Sequence, residues 1–201
     1  MSLTDLLRQR SSAHAFTPSH IDTAELMRLV QAACHAPSAY HLQNWHFTAV
    51  CSPAARRALQ QAAFGQAKIG QAAAVFIISG DLLGYQALAA RLQTCVQAGE
   101  MSAETASAWV SAAHAAFHAQ PQAQRDEAIR SASLAAMPLM LAAVEQGWAS
   151  CPMSGFDAQA VHRLARLPDS HVPVLLVALG RPAAAQPPKT RVPPEQVFSL
   201  I

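Results

Sequence analysis

Two short, uninterrupted apolar runs, Val75-Phe76-Ile77-Ile78 and Val174 to Leu179, most constrain how this chain can fold. A run of that length suits a strand covered on both faces and is too short for a helix. Long helical stretches lie between them. Alanine-rich sequence fills residues 83 to 118, and a second apolar helix is expected from about 125 to 146, with Gly147 as its stop. Pro138 removes a backbone donor inside that second helix and predicts a kink or a restart there. Strands separated by such helices imply an α+β or α/β three-layer sandwich.

The remaining elements fit this frame. Ser2 can cap a short helix over residues 2 to 9. Asp22 and Glu25 form a capping-box pair at the head of a helix over 22 to 34, which Pro37 cannot extend. Trp45 to Val50 reads as a strand, and residues 120 to 124, with Pro121, as a linker. A short strand is expected over Ala149 to Cys151, then a turn at Gly155-Phe156-Asp157 and a helix over 158 to 165 capped by Asp157. Beyond Gly180, the stretch from Arg181 to Pro194 holds five prolines and should run extended over a surface. Val197 to Ile201 is apolar again, as expected of an arm tip that docks on a partner.

Composition enters at this point. Hydrophobic residues make up 52% of the chain and charged ones only 13%, against roughly 25% charged in an ordinary domain. A 201-residue chain hides that much apolar surface most simply against a second copy, which predicts a homodimer. The net charge of +2 comes from scattered Lys and Arg, which argues against nucleic acid or an anionic membrane as partner. Cys34, Cys51, Cys95 and Cys151 show no CxxC or Cys/His ligand spacing, so they read as buried, reduced thiols of a cytoplasmic protein, with Cys51 and Cys151 on strands. The amino-terminal residues lack an apolar signal core, and no stretch of about 20 apolar residues is expected to span a bilayer. His114 and His118 share a helix face, but no third ligand is evident and no metal is expected.

Three clusters carry chemistry. Arg10-Ser11-Ser12-Ala13-His14-Ala15-Phe16 combines a permanent cation, two hydroxyls and an imidazole, groups that suit a phosphate. Ala36-Pro37-Ser38-Ala39-Tyr40-His41-Leu42-Gln43-Asn44-Trp45 is a loop dense in donors and acceptors. Pro188-Lys189-Thr190-Arg191-Val192-Pro193 puts two cations on the arm. Together, in this order, they resemble the nitroreductase family of flavoproteins, whose members carry Arg-x-Ser-x-Arg/Lys-x-Phe and then Ala-Pro-Ser-Ser-x-Asn-x-Gln-Pro-Trp. The resemblance spans essentially the whole chain and is weakest from about 83 to 125.

The resemblance implies a nitroreductase-like α/β/α sandwich, α+β in class, with a central mixed sheet. It implies one FMN-binding domain over residues 1–180, with an arm over 181–201 exchanged onto the partner subunit. Arg10, Ser12, Lys189 and Arg191 would grip the FMN phosphate, with Ser11 and His14 beside them; His14 stands where the family usually has Arg or Lys. Lys68 would lie near the flavin N1 and O2, where a cation favours the reduced ring. Pro37, Ser38 and His41, with Ala39 and Gln43 in the same loop, would reach the flavin of the partner. Met153, Ser154 and Gly155 would lie over the ring near N5. Asn44 replaces the family's Pro and is expected to loosen that turn. The implied activity is ping-pong hydride transfer from NADH or NADPH through FMN to nitroaromatics, quinones or similar electron-poor acceptors, with no side chain as an essential acid or base. The alternative is a flavin-free or weakly flavin-binding dimer that takes up a small anionic ligand.

Overall fold

The computed structural model describes residues 2–184, 187 and 189–201. Pro188, which opens the third cluster, lies outside the described residues. The first helix, α1 (Leu3–Gln9), starts at a full capping box. Ser2 Oγ accepts from the Asp5 N–H, and the Asp5 carboxylate accepts from the Ser2 N–H. Helix α2 (Thr23–Ala33) begins the same way at Asp22 and Glu25 and buries Leu26, Leu29 and Ala33. Two reciprocal hydrogen bonds at each start satisfy donors that a helix end otherwise leaves orphaned.

Among the described residues five strands form one sheet: β1 (Phe16–Thr17), β2 (Trp45–Val50), β3 (Ala74–Asp81), β4 (Ala149–Met153) and β5 (His171–Pro182). The order runs β1-β5-β3-β2, with β4 also paired to β5. Every ladder is antiparallel. The mixed character expected of the sheet reduces, among the described residues, to one isolated parallel bridge between Ser12 and Ser150.

Both central apolar runs are strands because both of their faces are covered. Phe76, Ile78, Val177 and Leu179 point into a core shared with α2 and with α7 (Pro121–Glu145). The intervening Val75, Ile77, Leu176 and Ala178 point into a second core. That second core is closed by α3 (Pro53–Ala62), α4 (Ala67–Gln71) and α8 (Ala158–Ala165), the last capped by Asp157. Helix, sheet and helix make the three layers. A smaller apolar cluster joins α5 (Leu88–Gln97) and α6 (Ala103–Phe117), which divide the expected helical stretch at residues 98–102.

Some boundaries differ from expectation, for identifiable reasons. Pro121 does not sit in a linker. It occupies the first turn of α7, where its missing N–H costs nothing. Pro138 lies inside α7 without ending it. That helix closes on a Schellman motif at Gly147 (φ 75°), with the Trp148 N–H on Ala143 O and the Gly147 N–H on Val144 O. Contrary to the sequence reading, α7 is long and apolar enough to cross a membrane by length and composition; half of its apolar window is buried in the fold, where Ala132, Ala135, Ala136 and Leu139 meet the sheet. Only Cys151 is a buried thiol. Cys34 caps the end of α2 and is exposed, Cys51 falls just past β2 and is exposed, and Cys95 is half-buried; all four are free.

The arm starts anchored and continues exposed. Arg181 lies over the Trp148 ring, 3.8 Å from its centroid, and donates to Gly147 O at 2.6 Å. Val197, Phe198, Leu200 and Ile201 all face solvent in the single chain.

Candidate functional site

Helix α1 ends at Arg10, whose N–H bonds to Leu6 O, and the chain then runs extended. The bridge to β4, closed by the Ala13 N–H on Ser150 O at 3.0 Å, fixes which side each residue faces. Ser11 is buried and lines a cleft of about 290 Å³ with Trp148 and Pro182. Arg10 lines a different one. This second cleft, of about 410 Å³, is walled by Thr4, Leu7, Arg8 and Arg10, by Met137 of α7, and by Lys189 and Arg191 of the arm. Its size falls in the range of small-molecule sites.

Among the described residues four cationic side chains line this cleft and no carboxylate does. Burial holds the Arg10 guanidinium below its ordinary value, the nearby Arg191 adds to this, and the Cys151 thiol opposes it. Arginine does not lose its proton at neutral pH, so the cost remains as unbalanced positive charge. That donor set fits a phosphate, which would supply the missing negative charge. Lys189 Nζ stands 3.4 Å from His14 Nε2.

Lys68 reaches the same neighbourhood through Cys151 of β4, the thiol that also acts on Arg10. Its Nζ lies 3.4 Å from Cys151 Sγ. The turn before it, with Phe64 at φ 55° and Gly65 at φ 78°, is bolted to the loop after β4 by Gln66 Nε2 donating to Gly155 O at 2.8 Å. Met153 is buried at the end of β4, and Ser154 and Gly155 follow it into solvent.

The Pro37–Gln43 loop is held apart from this cleft. Tyr40, His41 and Gln43 all have positive φ, at 51°, 61° and 44°, a conformation that costs a non-glycine residue roughly 1 kcal/mol or more. What over-determines it is a set of hydrogen bonds. Ser38 Oγ accepts from the Gln43 N–H at 2.9 Å, and Arg91 of α5 donates to Leu42 O. The Ala39 N–H points at Glu127 of α7 at 3.4 Å. Glu127 is buried, accepts from Ser131 Oγ at 2.8 Å and pairs with Arg130. Among the described residues the loop's partners outside itself lie on α5, α6 and α7, the Tyr40 ring meeting Phe117 edge-on at 6.2 Å, and not in the Arg10 cleft. Asn44 does not loosen the turn. It is buried, its side-chain Nδ2 donates to Asp81 O at 3.0 Å, and its backbone carbonyl accepts from the Asp81 N–H at 2.7 Å.

Two other constellations have simpler accounts. The His114 and His118 rings stack at 4.5 Å, and no group of three potential metal ligands occurs among the described residues. Ser170 Oγ and Asp81 Oδ1 both face His171 Nδ1, at 3.1 and 4.0 Å. A nucleophile relay needs the hydroxyl on the opposite ring nitrogen, so this is not one.

The sequence model of a family described as "Nitroreductase family" matches residues 7–181. The chain belongs to the nitroreductase family. Among its relatives, MhqN of Bacillus subtilis (strain 168), named as an NAD(P)H nitroreductase, is 36% identical over 180 residues, covering 89% of this chain and 87% of that one. The crystal structure of the nitroreductase ydfN from Bacillus subtilis superposes with a TM-score of 0.91 at 32% identity, covering 98% of both chains. A nitroreductase from Exiguobacterium sibiricum, solved in complex with FMN, shares the fold at a TM-score of 0.92 and 24% identity, covering 100% of this chain and 98% of that one.

Against this nitroreductase background, the structure brings Arg10, Lys189 and Arg191 into one cleft, sets Lys68 nearby through Cys151, and turns Ser11 away. Sequence reading missed Arg8 in the cleft and the buried Glu127 under the loop. Neither has a local signature: Arg8 looks like any basic residue in a last helical turn, and Glu127 is separated from Ala39 by 88 positions.

Proposed function

We propose that this chain is an FMN-dependent NAD(P)H oxidoreductase that reduces nitroaromatic, quinone or similar electron-poor acceptors, working as a cytoplasmic homodimer. The observation that carries the reading is the cleft of Arg8, Arg10, Lys189 and Arg191 without a carboxylate, together with family membership. In this reading Arg10, Ser12, Lys189 and Arg191 hold the flavin phosphate, and Lys68 faces N1 and O2. Met153, Ser154 and Gly155 border the ring near N5. FMN, when bound, supplies a hydride acceptor and donor at N5. The Lys68 ammonium stabilises negative charge that builds on the reduced ring. The nicotinamide donor leaves before the acceptor enters the same space, which is the ping-pong order, and no side chain needs to act as acid or base.

The second subunit completes the site. Pro37, Ser38 and His41, with Ala39 and Gln43, lie on a strained loop whose hydrogen bonds do not reach this chain's own cation cleft, as a loop serving a neighbour's site does. Leu3, Leu7, Met27 and Leu134 are exposed on α1, α2 and α7, and so is the apolar arm tip. Exposed large apolar groups on this scale mark an interface. The arm, running onto the partner, covers them. Four free thiols suit a reducing compartment.

The test is an absorbance spectrum of the purified, desalted protein, followed by anaerobic NADH and NADPH. Flavin bands that persist and then bleach are expected. A colourless protein that takes up no added FMN refutes the enzyme reading and leaves the anion-binding dimer.

A further inference from the structure

We propose that the Cys151 thiol positions the Lys68 ammonium and thereby sets the midpoint potential of the bound flavin. The proposal rests on the reading above, in which Lys68 faces the ring.

Lysine carries its charge on a long stem with many rotamers, so a lysine that tunes a ring must be held. The side-chain partner of Lys68 is Cys151 Sγ at 3.4 Å. Cys151 is itself fixed. It is 3% exposed, lies in β4 opposite Ala178 of β5, and points its S–H at Pro152 O at 3.8 Å. The proton therefore faces away from Lys68, and a sulfur lone pair faces the ammonium. Two residues before Lys68, Gln66 Nε2 donates to Gly155 O in the loop after β4, so the start of α4 is held against the same strand end. The thiol contact then fixes the ammonium itself beside β4.

The choice of acceptor has a consequence for charge. A carboxylate at position 151 would hold Lys68 more tightly but would cancel its charge, and a cancelled charge gives reduced flavin nothing. A cysteine sulfur accepts one N–H without the carboxylate's two charged oxygens and so leaves more of the positive charge to act on the ring. Cys151 touches Lys68 and not the reacting atoms, so it is a positioning residue.

The experiment measures the midpoint potential of FMN bound to the holoenzyme and to Cys151→Ala, Cys151→Val, Cys151→Ser, Lys68→Ala and the Lys68→Ala/Cys151→Ala double variant. The valine variant guards against an effect of lost volume. Alanine and valine are each expected to reduce the preference for reduced over oxidised FMN about tenfold, a fall of about 30 mV for a two-electron couple. Serine keeps the acceptor and stays at the parent potential. Cys151→Ala adds nothing once Lys68 is gone. A parent potential in the alanine and valine variants overturns the proposal, as does an equal shift with Lys68 already removed or no shift in Lys68→Ala. A parent protein that binds no FMN overturns the flavin reading as well, and its lack of colour distinguishes that failure from the others.

Discussion

Glu127 offers the sharpest test of how the strained loop is held. Its carboxylate is 4% exposed and takes hydrogen bonds from Ser131 Oγ, itself fully buried, and from the Ala39 N–H. Glu127→Ala leaves both donors without an acceptor, and a buried unsatisfied donor costs roughly 1–3 kcal/mol. The Ala39 contact is long at 3.4 Å and counts at the low end, so the total is about 3 kcal/mol. Glu127→Gln keeps an oxygen for both donors and loses only the charge facing Arg130. That partner is 60% exposed, so the pair is worth under about 1 kcal/mol. For a chain of this size 1 kcal/mol moves Tm by about 2–4 °C. Thermal melts at one fixed protein concentration, without added FMN, should therefore drop by about 6–12 °C for alanine and by no more than about 4 °C for glutamine. Equal losses for the two variants would refute the argument, because the acceptor, rather than the charge, is what the loop is said to need. Limited proteolysis should show new cuts near Tyr40 in the alanine variant only.

Other outcomes are expected from features of the same structure. Arg10→Met and Arg191→Met should each weaken FMN binding by about 10- to 100-fold, the worth of a charge-assisted hydrogen bond of about 1.5–3 kcal/mol, read by flavin fluorescence titration; unchanged affinity in both would detach the cation cleft from the phosphate. Gly80→Ala places a Cβ 2.4 Å from the backbone oxygen of Ala128, forcing β3 and α7 apart at about 1–3 kcal/mol, and a urea midpoint equal to the parent's would contradict that packing. Burial, with His46 and His162 adding repulsion and Asp81 opposing them, holds the His171 imidazole below its usual value. Below about pH 6.5 the unfolded chain takes the proton more readily than the folded one, so stability from this group is full above that pH and falls with acidity. His171→Asn should lose less stability between pH 7.5 and pH 5 in urea unfolding, and parallel losses in both proteins would refute the assignment.

Periodicity and end signals made most of the helices and strands legible. The capping boxes at Ser2 and Asp22, the Asp157 cap and the Gly147 stop are local chemistry, and the structure shows them where the residues stand. The double-sided strands β3 and β5 were readable because both faces are apolar. What failed was non-local. Asn44 looked like a loosened turn because its partner, Asp81, is 37 residues away. The burial of Cys151 was legible, but its contact with Lys68, 83 residues back, was not, because nothing near it in sequence announces that partner. Pro121 is ambiguous in sequence because proline punctuates loops and first helical turns alike. Arg10, Lys189 and Arg191 were singled out through the family's motif order, and their meeting in one cleft needed the fold.

The placing of Lys189 and Arg191 on an exposed segment has a consequence for the life of the protein. Half of the cations around the cleft belong to a stretch that trypsin-like proteases prefer, since cleavage after either residue needs an accessible chain. An anion seated among them ties that stretch down, and by linkage whatever ties it down tightens the anion. If that anion is the flavin phosphate, as proposed above, flavin supply and survival are coupled: a molecule without its cofactor has its carboxy-terminal segment less protected from cleavage, and a cut there removes two of the four cations.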